Sequence, residues 1–180
     1  MLKIYLLGRF EVHLDGRPVT QWGGRQTGAL VKVLAAARGQ PVTRDQLVEM
    51  LWDDPPLRAE RDLKVLISRG RRALGDTAHE ILVTTSTGYA LGGPCWIDAN
   101  ELESLVAQGA AWEHAGRPGL AEASYRAGLD LYVGPFLPED LFADWVTPHR
   151  ERCRRLYLDA LLALGELLFQ LRDREAIGLA

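Results

Sequence analysis

The sequence predicts an α+β domain in the first half of the chain and an all-α domain in the second half, on three observations. Apolar stretches on either side of an Asp15-Gly16 pair indicate a small antiparallel sheet at the start. Three amphipathic helical patterns, followed by a hairpin pattern, occupy the chain up to Leu91. The remainder is helical and richer in Ala and Leu. We therefore expect domains at 1–93 and 94–180.

Length and composition are those of an ordinary globular chain. The 180 residues are 47% hydrophobic and 25% charged, and no apolar run reaches the ~18 residues that a membrane span needs. The first residues lack the layout of a secretory signal peptide. Two cysteines, Cys95 and Cys153, give neither a disulfide framework nor zinc-ligand spacing. We therefore expect a cytoplasmic protein without membrane segment, metal or cofactor.

Charge is distributed unevenly along the chain, although the net charge is only -3. Residues 1–95 carry 13 Lys and Arg against 10 Asp and Glu, whereas residues 96–180 carry 8 against 14. A basic front half and an acidic back half suggest two modules with different partners. The small basic excess does not by itself indicate nucleic-acid binding, so that argument depends on where the charges lie.

The predicted sheet and the first helix open the first domain. We expect two or three short strands within residues 2–20. A Gly-Gly pair at position 23 interrupts this pattern, and a helix from Arg25 to Arg38 follows, which Gly39 ends. The apolar stripe of this helix consists of Leu30, Val31, Leu34 and Ala35.

The second helix begins with a clear cap. Thr43 followed three residues later by Gln46 is a capping box, in which each residue satisfies a backbone N–H of the first turn. A Pro-Pro pair at position 55 stops the helix, because proline restricts the residue before it and cannot continue the hydrogen-bond ladder. The residues expected to face inward are Leu47, Met50, Leu51 and, at the helix end, Trp52.

The third helix, from about Leu57 to Leu74, has two contrasting faces. Its apolar face consists of Leu63, Leu66, Ile67, Gly70 and Leu74. Within residues 61–72 the rest of the surface carries four arginines and one lysine against a single acid, Asp62. The polar residues of this surface that we take as candidates for binding are Arg61, Lys64, Ser68, Arg69, Arg71 and Arg72.

A hairpin follows the third helix, with strands at Ile81–Thr85 and Tyr89–Leu91. Three helices, with a short break between the second and third, followed by a hairpin give the order of a winged helix-turn-helix. In that arrangement the third helix docks by its apolar face and turns its polar face to the phosphates and base edges of double-stranded DNA. A solvated basic face is the ordinary alternative, but the flanking helices, the capping box and the hairpin favour DNA binding.

Position along the third helix predicts a role for each polar residue. Those on the outer face, near the N-terminal half, are expected to contact base edges, and the remaining arginines to contact phosphates. Arg61 has the geometry for a bidentate pair with guanine. The base-contact candidates are Arg61, Lys64 and Ser68, and the phosphate-contact candidates are Arg69, Arg71 and Arg72.

Two other segments supply further candidates for DNA contact. Arg44, in the first turn of the second helix, is expected to meet a phosphate beside backbone N–H groups. In the hairpin, the hydroxyls of Thr84, Thr85 and Thr87 can bond phosphates, although they are weaker anchors than arginine. For each of these residues an ordinary exposed surface position is the alternative.

The second domain is predicted to consist of paired helices, and this pattern is weakly similar to tetratricopeptide repeats. Asp98 opens a helix that turns Leu102, Leu105 and Val106 inward, and a second helix covers about 119–132. We expect a long helix from about Ala143 to Leu171 and a separate helix beginning at Arg172. Residues 175–180 resemble a helix cut short, so we expect the chain to be part of a longer protein.

The polar clusters in the second domain do not indicate a metal site or a catalytic site. His149 and Cys153 share a helix face, but no further ligands are spaced for a metal. The acid pairs at 101/103 and 139/140 lack partners for acid–base catalysis, and we do not expect an enzyme. A second basic cluster is expected to be solvated, or else to form an interface with the DNA-binding half or with a partner; it consists of Arg150, Arg152, Arg154 and Arg155.

Several of these motifs resemble a known family. Thr43–Trp52 resembles the second helix of the OmpR/PhoB-type winged helix, Val65–Leu74 its recognition helix, and Thr87-Gly88-Tyr89 its wing. Tyr125–Leu137 is similar to a helix-turn signature of the bacterial transcriptional activator domain, and Asp144-Trp145 agrees with it. Together the motifs resemble the Streptomyces antibiotic regulatory protein (SARP) family over nearly the whole chain.

The resemblance implies a bacterial transcriptional regulator, an activator that binds double-stranded DNA. It implies tandem binding to promoter direct repeats about one helical turn apart. The helical domain would mediate self-association, as a homodimer or a tandem assembly on DNA, or contact RNA polymerase. An activator domain of this family continues with more helix pairs, and an ATPase or sensor domain beyond residue 180 is compatible with it.

Two positions depart from the family pattern. Gly70 stands where the family usually has Leu, which removes an apolar contact and costs helix propensity of ~1 kcal/mol relative to Ala. We expect the helix to be bent there or to pack more closely. The wing carries Thr84-Thr85-Ser86-Thr87 where some relatives place an arginine. These departures favour an alternative function, a protein-interaction module in which DNA binding is weak or absent.

Overall fold

The computed structural model describes residues 1–176, of which Asp76 and residues 173–176 are described by their backbone alone. The described chain folds as two compact units. The first holds residues 1–6 and 10–97, and the second holds residues 7–9 together with the helices from Asp98 onward. The domain boundary at 93/94 that we expected from composition stays a prediction.

The N-terminal strands form where the sequence predicts them. The strands β1 (Leu2–Tyr5), β2 (Glu11–Leu14) and β3 (Arg17–Pro18) pair in an antiparallel meander. The turn between β2 and β3 has positive φ at both Asp15 (49°) and Gly16 (80°). A two-residue turn of this kind matches the twist of the strands, which is why the Asp-Gly pair predicts it.

A fourth strand of this sheet was not predicted. The strand β7 (Cys95–Ile97) pairs with β1 in parallel, so the sheet order is β3-β2-β1-β7 and the sheet is not wholly antiparallel. Three residues after a Gly-Gly-Pro turn are too few to show an alternating pattern.

The first two helices of the first unit are joined by a short strand. The helix α1 (Arg25–Ala36) is followed by β4 (Val42–Thr43) and α2 (Arg44–Leu51). The capping box is present, since the Thr43 hydroxyl accepts from the Gln46 N–H at 3.2 Å and Gln46 Oε1 accepts from the Thr43 N–H at 3.0 Å.

The expectation that Met50 faces inward is wrong, because 37% of its surface is exposed. The helix α2 has only eight residues, and its buried line passes through Leu47. Met50 and Leu51 lie on either side of that line at 100° per residue. A helix of two turns therefore buries a single residue fully here.

The third helix, α3 (Ala59–Leu74), buries the predicted face of Leu63, Leu66, Ile67, Gly70 and Leu74. It runs through Gly70 without interruption. A side-chain carbon at Gly70 would lie 3.3 Å from Leu82 Cδ2 and 3.6 Å from Thr27 Cγ2. Of the two expected consequences of this glycine, close packing is therefore the one observed.

The predicted hairpin follows α3 after a 3₁₀ turn (Gly75–Thr77) and the short helix α4 (Ala78–Ile81). Its strands are β5 (Leu82–Thr84) and β6 (Gly88–Leu91), which form a sheet in the order β4-β6-β5. The first strand starts one residue later than predicted because Ile81 ends α4 as a buried residue. We refer to β5, β6 and their turn as the wing.

The second unit is helical. Its helices are α5 (Asp98–His114), α6 (Pro118–Leu131) and α7 (Val146–Ala176). The predicted separate helix at Arg172 is wrong, since α7 continues through it. Residues 172–176 contain neither glycine nor proline to end the helix. The remaining part of the predicted segment, 177–180, lies outside the described residues.

A tyrosine packed on a glycine joins α5 and α6. A side-chain carbon at Gly109 would lie 2.5 Å from the Tyr125 ring, so only glycine fits there. The Tyr125 hydroxyl donates to Glu113 Oε2 at 3.0 Å. Burial, and then this carboxylate, raise the pKa of Tyr125 to about 12. Ala160, Leu164 and Leu167 of α7 complete this core.

Candidate nucleic-acid interface

The exposed surface of α3 carries cations that form no side-chain hydrogen bond or ion pair with any other residue in the described part of the chain. At 100° per residue, Arg61, Ser68 and Arg72 follow one line along the helix, directly opposite the buried face. We call this line the ridge. The cations concerned are Arg61, Lys64, Arg69 and Arg72.

An open cleft of about 440 Å³ separates one side of the ridge from the wing. Lys64, Ser68 and Arg72 line it from α3, and Thr84 and Tyr89 line it from the hairpin. Arg71 also lines this cleft. The structure therefore brings five of the predicted site residues together there, namely Lys64, Ser68, Arg71, Arg72 and Thr84. Its charged lining from α3 is entirely basic, which suits a polyanion.

Arg71 is bound to the wing. Its Nε and Nη2 donate to the Leu82 carbonyl oxygen at 3.1 and 2.7 Å, and Nη2 also donates to Thr84 Oγ1 at 2.8 Å. A forked guanidinium holding one carbonyl is a rigid link. Arg71, which we expected to contact a phosphate, thus joins α3 to the first wing strand.

Arg44 has a similar position at the other end of the wing. Its Nη1 donates to the carbonyl oxygen of Thr87 at 3.2 Å and to that of Ser86 at 3.5 Å. Its guanidinium carbon lies 5.8 Å from the centre of the Tyr89 ring, a cation–π distance. Arg44, another expected phosphate contact, is therefore directed to the wing turn.

The three wing threonines differ in how far their hydroxyls are engaged. Thr84 accepts from Arg71, and Thr85 Oγ1 accepts from the Gly88 N–H at 3.0 Å. Thr87 is exposed. Gly88 itself admits no side chain, since a carbon there would lie 1.8 Å from the Val42 carbonyl oxygen. The wing is thus fixed to its neighbours from both sides.

A second open cleft, of about 790 Å³, lies on the opposite side of the ridge. Arg69 and Arg72 line it from α3, and Arg17 lines it from β3. Arg17 is not among the residues that the sequence pattern singles out. Nothing in the pattern around a two-residue strand indicates that it comes close to the third helix.

Val65 is a second residue of this surface that was not predicted. It lies beside the ridge, four residues after Arg61 and three before Ser68, and 40% of its surface is exposed. Helical periodicity would have predicted that Val65 is exposed, because it puts position 65 on the polar face. The charged residues around Val65 are the more conspicuous feature of that face.

The basic cluster of α7 is differently arranged. Arg150 donates to three carbonyl oxygens, those of Phe136 (3.2 Å), Leu137 (2.9 Å) and Asp140 (3.5 Å). Arg152 forms an ion pair with Glu103 of α5. Two of the four arginines therefore hold the second unit together. The other two, Arg154 and Arg155, are exposed.

The described residues contain no group of three His, Cys, Asp or Glu side chains that could hold a metal ion. His149 stacks on the Phe136 ring with centroids 5.4 Å apart. Cys153 is buried. In the same part of the chain, no helix is long and apolar enough to cross a membrane.

Comparison with known proteins matches both halves of the chain. The family described as the C-terminal domain of transcriptional regulatory proteins matches residues 23–91. The bacterial transcriptional activator domain matches residues 97–178. Both matches are to parts of transcriptional regulators, which agrees with the resemblance seen in the sequence.

Similar proteins are found among mycobacterial and Streptomyces regulators. Transcriptional regulatory protein EmbR of Mycobacterium tuberculosis is 30% identical over 141 residues, which are 74% of this chain and 36% of EmbR. Regulatory protein DnrI of Streptomyces peucetius is 32% identical over 146 residues, which are 76% of this chain and 53% of DnrI. The chain thus spans between a third and about half of the length of these relatives.

A solved structure matches the fold. Mycobacterium tuberculosis EmbR in complex with a low affinity phosphopeptide matches with a TM-score of 0.85 and 26% sequence identity. The match covers 98% of this chain and 48% of that one. The predicted order of N-terminal strands, winged helix and helical domain is confirmed.

Proposed function

The chain carries an OmpR/PhoB-type winged-helix domain and a bacterial transcriptional activator domain, and is homologous to the SARP-type regulators EmbR and DnrI; from this we propose that it binds double-stranded DNA sequence-specifically and activates transcription. The observation that carries the proposal is the set of exposed cations on α3 for which the described part of the chain offers no side-chain partner, beside a fixed wing. Cations without partners in the described part of the protein keep their hydrogen-bond donors for phosphates and base edges.

In the proposed complex α3 lies in the major groove with its ridge toward the base pairs. Arg61, Lys64 and Ser68 contact base edges, and Arg61 forms a bidentate pair with guanine. Arg69, beside the ridge, and Arg72, at its C-terminal end, contact phosphates of the backbones that border the groove. This division keeps the roles expected from position along the helix.

The wing contributes in a different way from the helix. We assign Arg71 and Arg44 the role of positioning residues, because each already donates to a wing carbonyl. The hydroxyls of Thr84, Thr85 and Thr87 then face the DNA backbone from a fixed frame and donate to phosphate oxygens. The wing thus contacts DNA without a charged side chain of its own.

The proposed mode of action follows the family. Two copies bind direct repeats about one helical turn apart, in the cytoplasm, and the helical unit contacts either the neighbouring copy or RNA polymerase. One surface suits such a contact: Leu141 and Phe142 are 66% and 95% exposed on a loop whose carbonyls are held by Arg150. A fixed loop with exposed apolar side chains loses little conformational entropy on binding a protein.

A protein-interaction module without DNA binding is the second candidate. The observation that favours it is the wing, whose nearby arginines donate to the protein's own carbonyl oxygens. In that case the exposed cations of α3 would be solvated. An electrophoretic shift assay on promoter-containing DNA at modest salt separates the two functions.

Selection of bound sequences from a random duplex pool tests the proposal directly. The parent is expected to enrich one motif, as a direct repeat. The double variant Arg61→Ala/Lys64→Ala should then bind that motif ~100-fold more weakly relative to random DNA, since removing each base-reading side chain costs ~1–3 kcal/mol. Failure to enrich any motif would contradict sequence-specific binding.

The matched control removes two exposed arginines elsewhere. Arg154→Ala/Arg155→Ala deletes as many charges as the α3 variant, from a helix that the proposal keeps away from DNA. It should select the same motif as the parent. Equal reductions in both double variants would indicate a general effect of charge and overturn the assignment of α3.

A further inference from the structure

The loop between α6 and α7 buries one pair of Phe and Leu side chains and exposes another. Phe136 and Leu137 are 2% and 0% exposed, whereas Leu141 and Phe142 are 66% and 95% exposed. Apolar side chains stabilise a fold to the extent that they leave water. The first pair therefore stabilises the helical unit, and the second pair contributes little to its stability.

The backbone that carries the exposed pair is fixed. Leu137 before it and Val146 after it are fully buried. Arg150 donates to the Leu137 and Asp140 carbonyl oxygens at 2.9 and 3.5 Å. The Asp140 N–H closes a turn onto the Leu137 carbonyl oxygen at 3.1 Å. A loop that is ordered before binding loses little conformational entropy when a partner covers its side chains.

The charge of this loop has one sign. Glu139, Asp140 and Asp144 lie within residues 138–145, which we call the acidic loop. Residues 127–148 contain no Lys, Arg or His, and the first arginine after them, Arg150, donates to carbonyl oxygens of the loop region. Since charges across an interface are complementary, the surface that fits the acidic loop is basic around an apolar pocket.

The basic clefts on either side of the ridge do not supply this surface. Both border α3, which lies in the major groove in the proposed complex. A neighbouring copy on the same DNA therefore has neither cleft free for the acidic loop. The complementary surface is then one of another protein, and the protein on which a DNA-bound activator acts is the polymerase.

We propose that the acidic loop docks on RNA polymerase, with Leu141 and Phe142 in an apolar pocket and lysines or arginines of the polymerase around them. The proposal rests on the proposed function and chooses between the two partners named there. The two apolar side chains anchor the contact, and the carboxylates direct the approach.

The double variant Leu141→Ala/Phe142→Ala tests the anchor. Affinity for a purified bacterial RNA polymerase holoenzyme is measured with the full chain, both without DNA and on a promoter fragment that carries the selected motif. The variant should bind the polymerase at least ~10-fold more weakly in both settings. Its affinity for DNA alone and its far-ultraviolet circular dichroism should match the parent, because both side chains are exposed.

The matched control removes two exposed leucines from the same unit. Leu161 and Leu162 of α7 are 41% and 68% exposed, and Leu161→Ala/Leu162→Ala should bind the polymerase as the parent does. Equal losses in both double variants would indicate a general effect of exposed apolar surface and would overturn the assignment of the acidic loop.

The charge of the partner is tested by neutralising two acids. Glu139→Gln/Asp144→Asn should weaken polymerase binding ~5-fold at low salt, with a smaller difference at high salt, because salt screens exposed charges. The control Asp159→Asn/Glu166→Gln removes two exposed acids of α7 and should leave the affinity unchanged. An unaltered affinity at every salt concentration for the loop variant would contradict a basic partner surface.

The outcomes keep the two proposals apart. If the parent selects a DNA motif but Leu141→Ala/Phe142→Ala binds the polymerase as tightly as the parent, the loop contact fails and the proposed DNA binding stands. If no motif is selected, sequence-specific binding fails, and the measurement without DNA still decides on the loop. If the variant instead loses self-association in sedimentation velocity and keeps its polymerase affinity, a second copy occupies the loop and the proposal is overturned.

Discussion

The helices α3 and α7 each carry four arginines in a short stretch, and they use them in opposite ways. In α3 the four lie within 12 residues, and three of them have no partner among the described residues. In α7 the four lie within six residues, yet Arg150 and Arg152 are engaged by carbonyl oxygens and a carboxylate of their own unit. The denser cluster is the structural one. Charge density along the sequence is therefore a poor guide to a binding surface.

The difference between the helices originates in what surrounds them. The loop before α7 places three carbonyl oxygens within reach of Arg150, and Glu103 of α5 faces Arg152. The ridge of α3 faces open clefts on both sides. Arg71 is the exception in α3, because the Leu82 carbonyl lies within its reach.

The largest effect on stability is expected from Arg150→Ala. Removing the guanidinium leaves the carbonyl oxygens of Phe136, Leu137 and Asp140 without this donor, so the free energy of unfolding should fall by ~3 kcal/mol. Urea denaturation measures it. Arg155→Ala, an exposed neighbour, should change it by less than ~0.5 kcal/mol. If both variants lowered the free energy of unfolding by similarly small amounts, the arginines of α7 would not have the structural role that distinguishes them from those of α3.

A smaller effect, on DNA affinity, is expected from substituting Arg71, which like Arg150 donates to a carbonyl oxygen of its own unit. Arg71→Ala should weaken binding to all DNA sequences ~10-fold, because the wing is no longer linked to α3. Arg71→Lys separates the two possible causes. Lysine keeps the charge but cannot make the forked contact with the Leu82 carbonyl. Full rescue by lysine would indicate a phosphate contact, as the sequence pattern alone predicts, and would contradict the positioning role.

Much of the fold follows from local signals in the sequence. The capping box at Thr43, the turn at Asp15-Gly16 and the five buried residues of α3 could be read directly, because each depends on neighbours within one or two turns of the chain. The strand β7 could not, because it depends on pairing with a strand some 90 residues away. The continuation of α7 through Arg172 could have been predicted, because residues 172–176 contain neither glycine nor proline to end the helix.

Less of the candidate site than of the fold could be predicted from the sequence, because the site depends more on residues that are distant along the chain. Helical periodicity identifies which side chains of α3 are exposed, and it would have identified Val65. It does not show that Arg71 and Arg44 turn to wing carbonyls, since those hydrogen bonds join residues 11 and 43 positions apart. Nor does it bring Arg17 to the side of Arg69. Whether a cation is available depends on tertiary neighbours.

The salt dependence of DNA affinity tests the contrast between the two helices most directly, because its slope reports how many phosphates the protein neutralises. Binding of the selected motif is measured over a range of salt concentrations for the parent, Arg69→Ala/Arg72→Ala and Arg154→Ala/Arg155→Ala. The α3 variant should lower the slope of log K against log salt by about 2, roughly one for each phosphate-binding arginine removed. The α7 variant should leave it unchanged. Equal slopes for all three proteins, or a reduced slope for the α7 variant alone, would contradict the account.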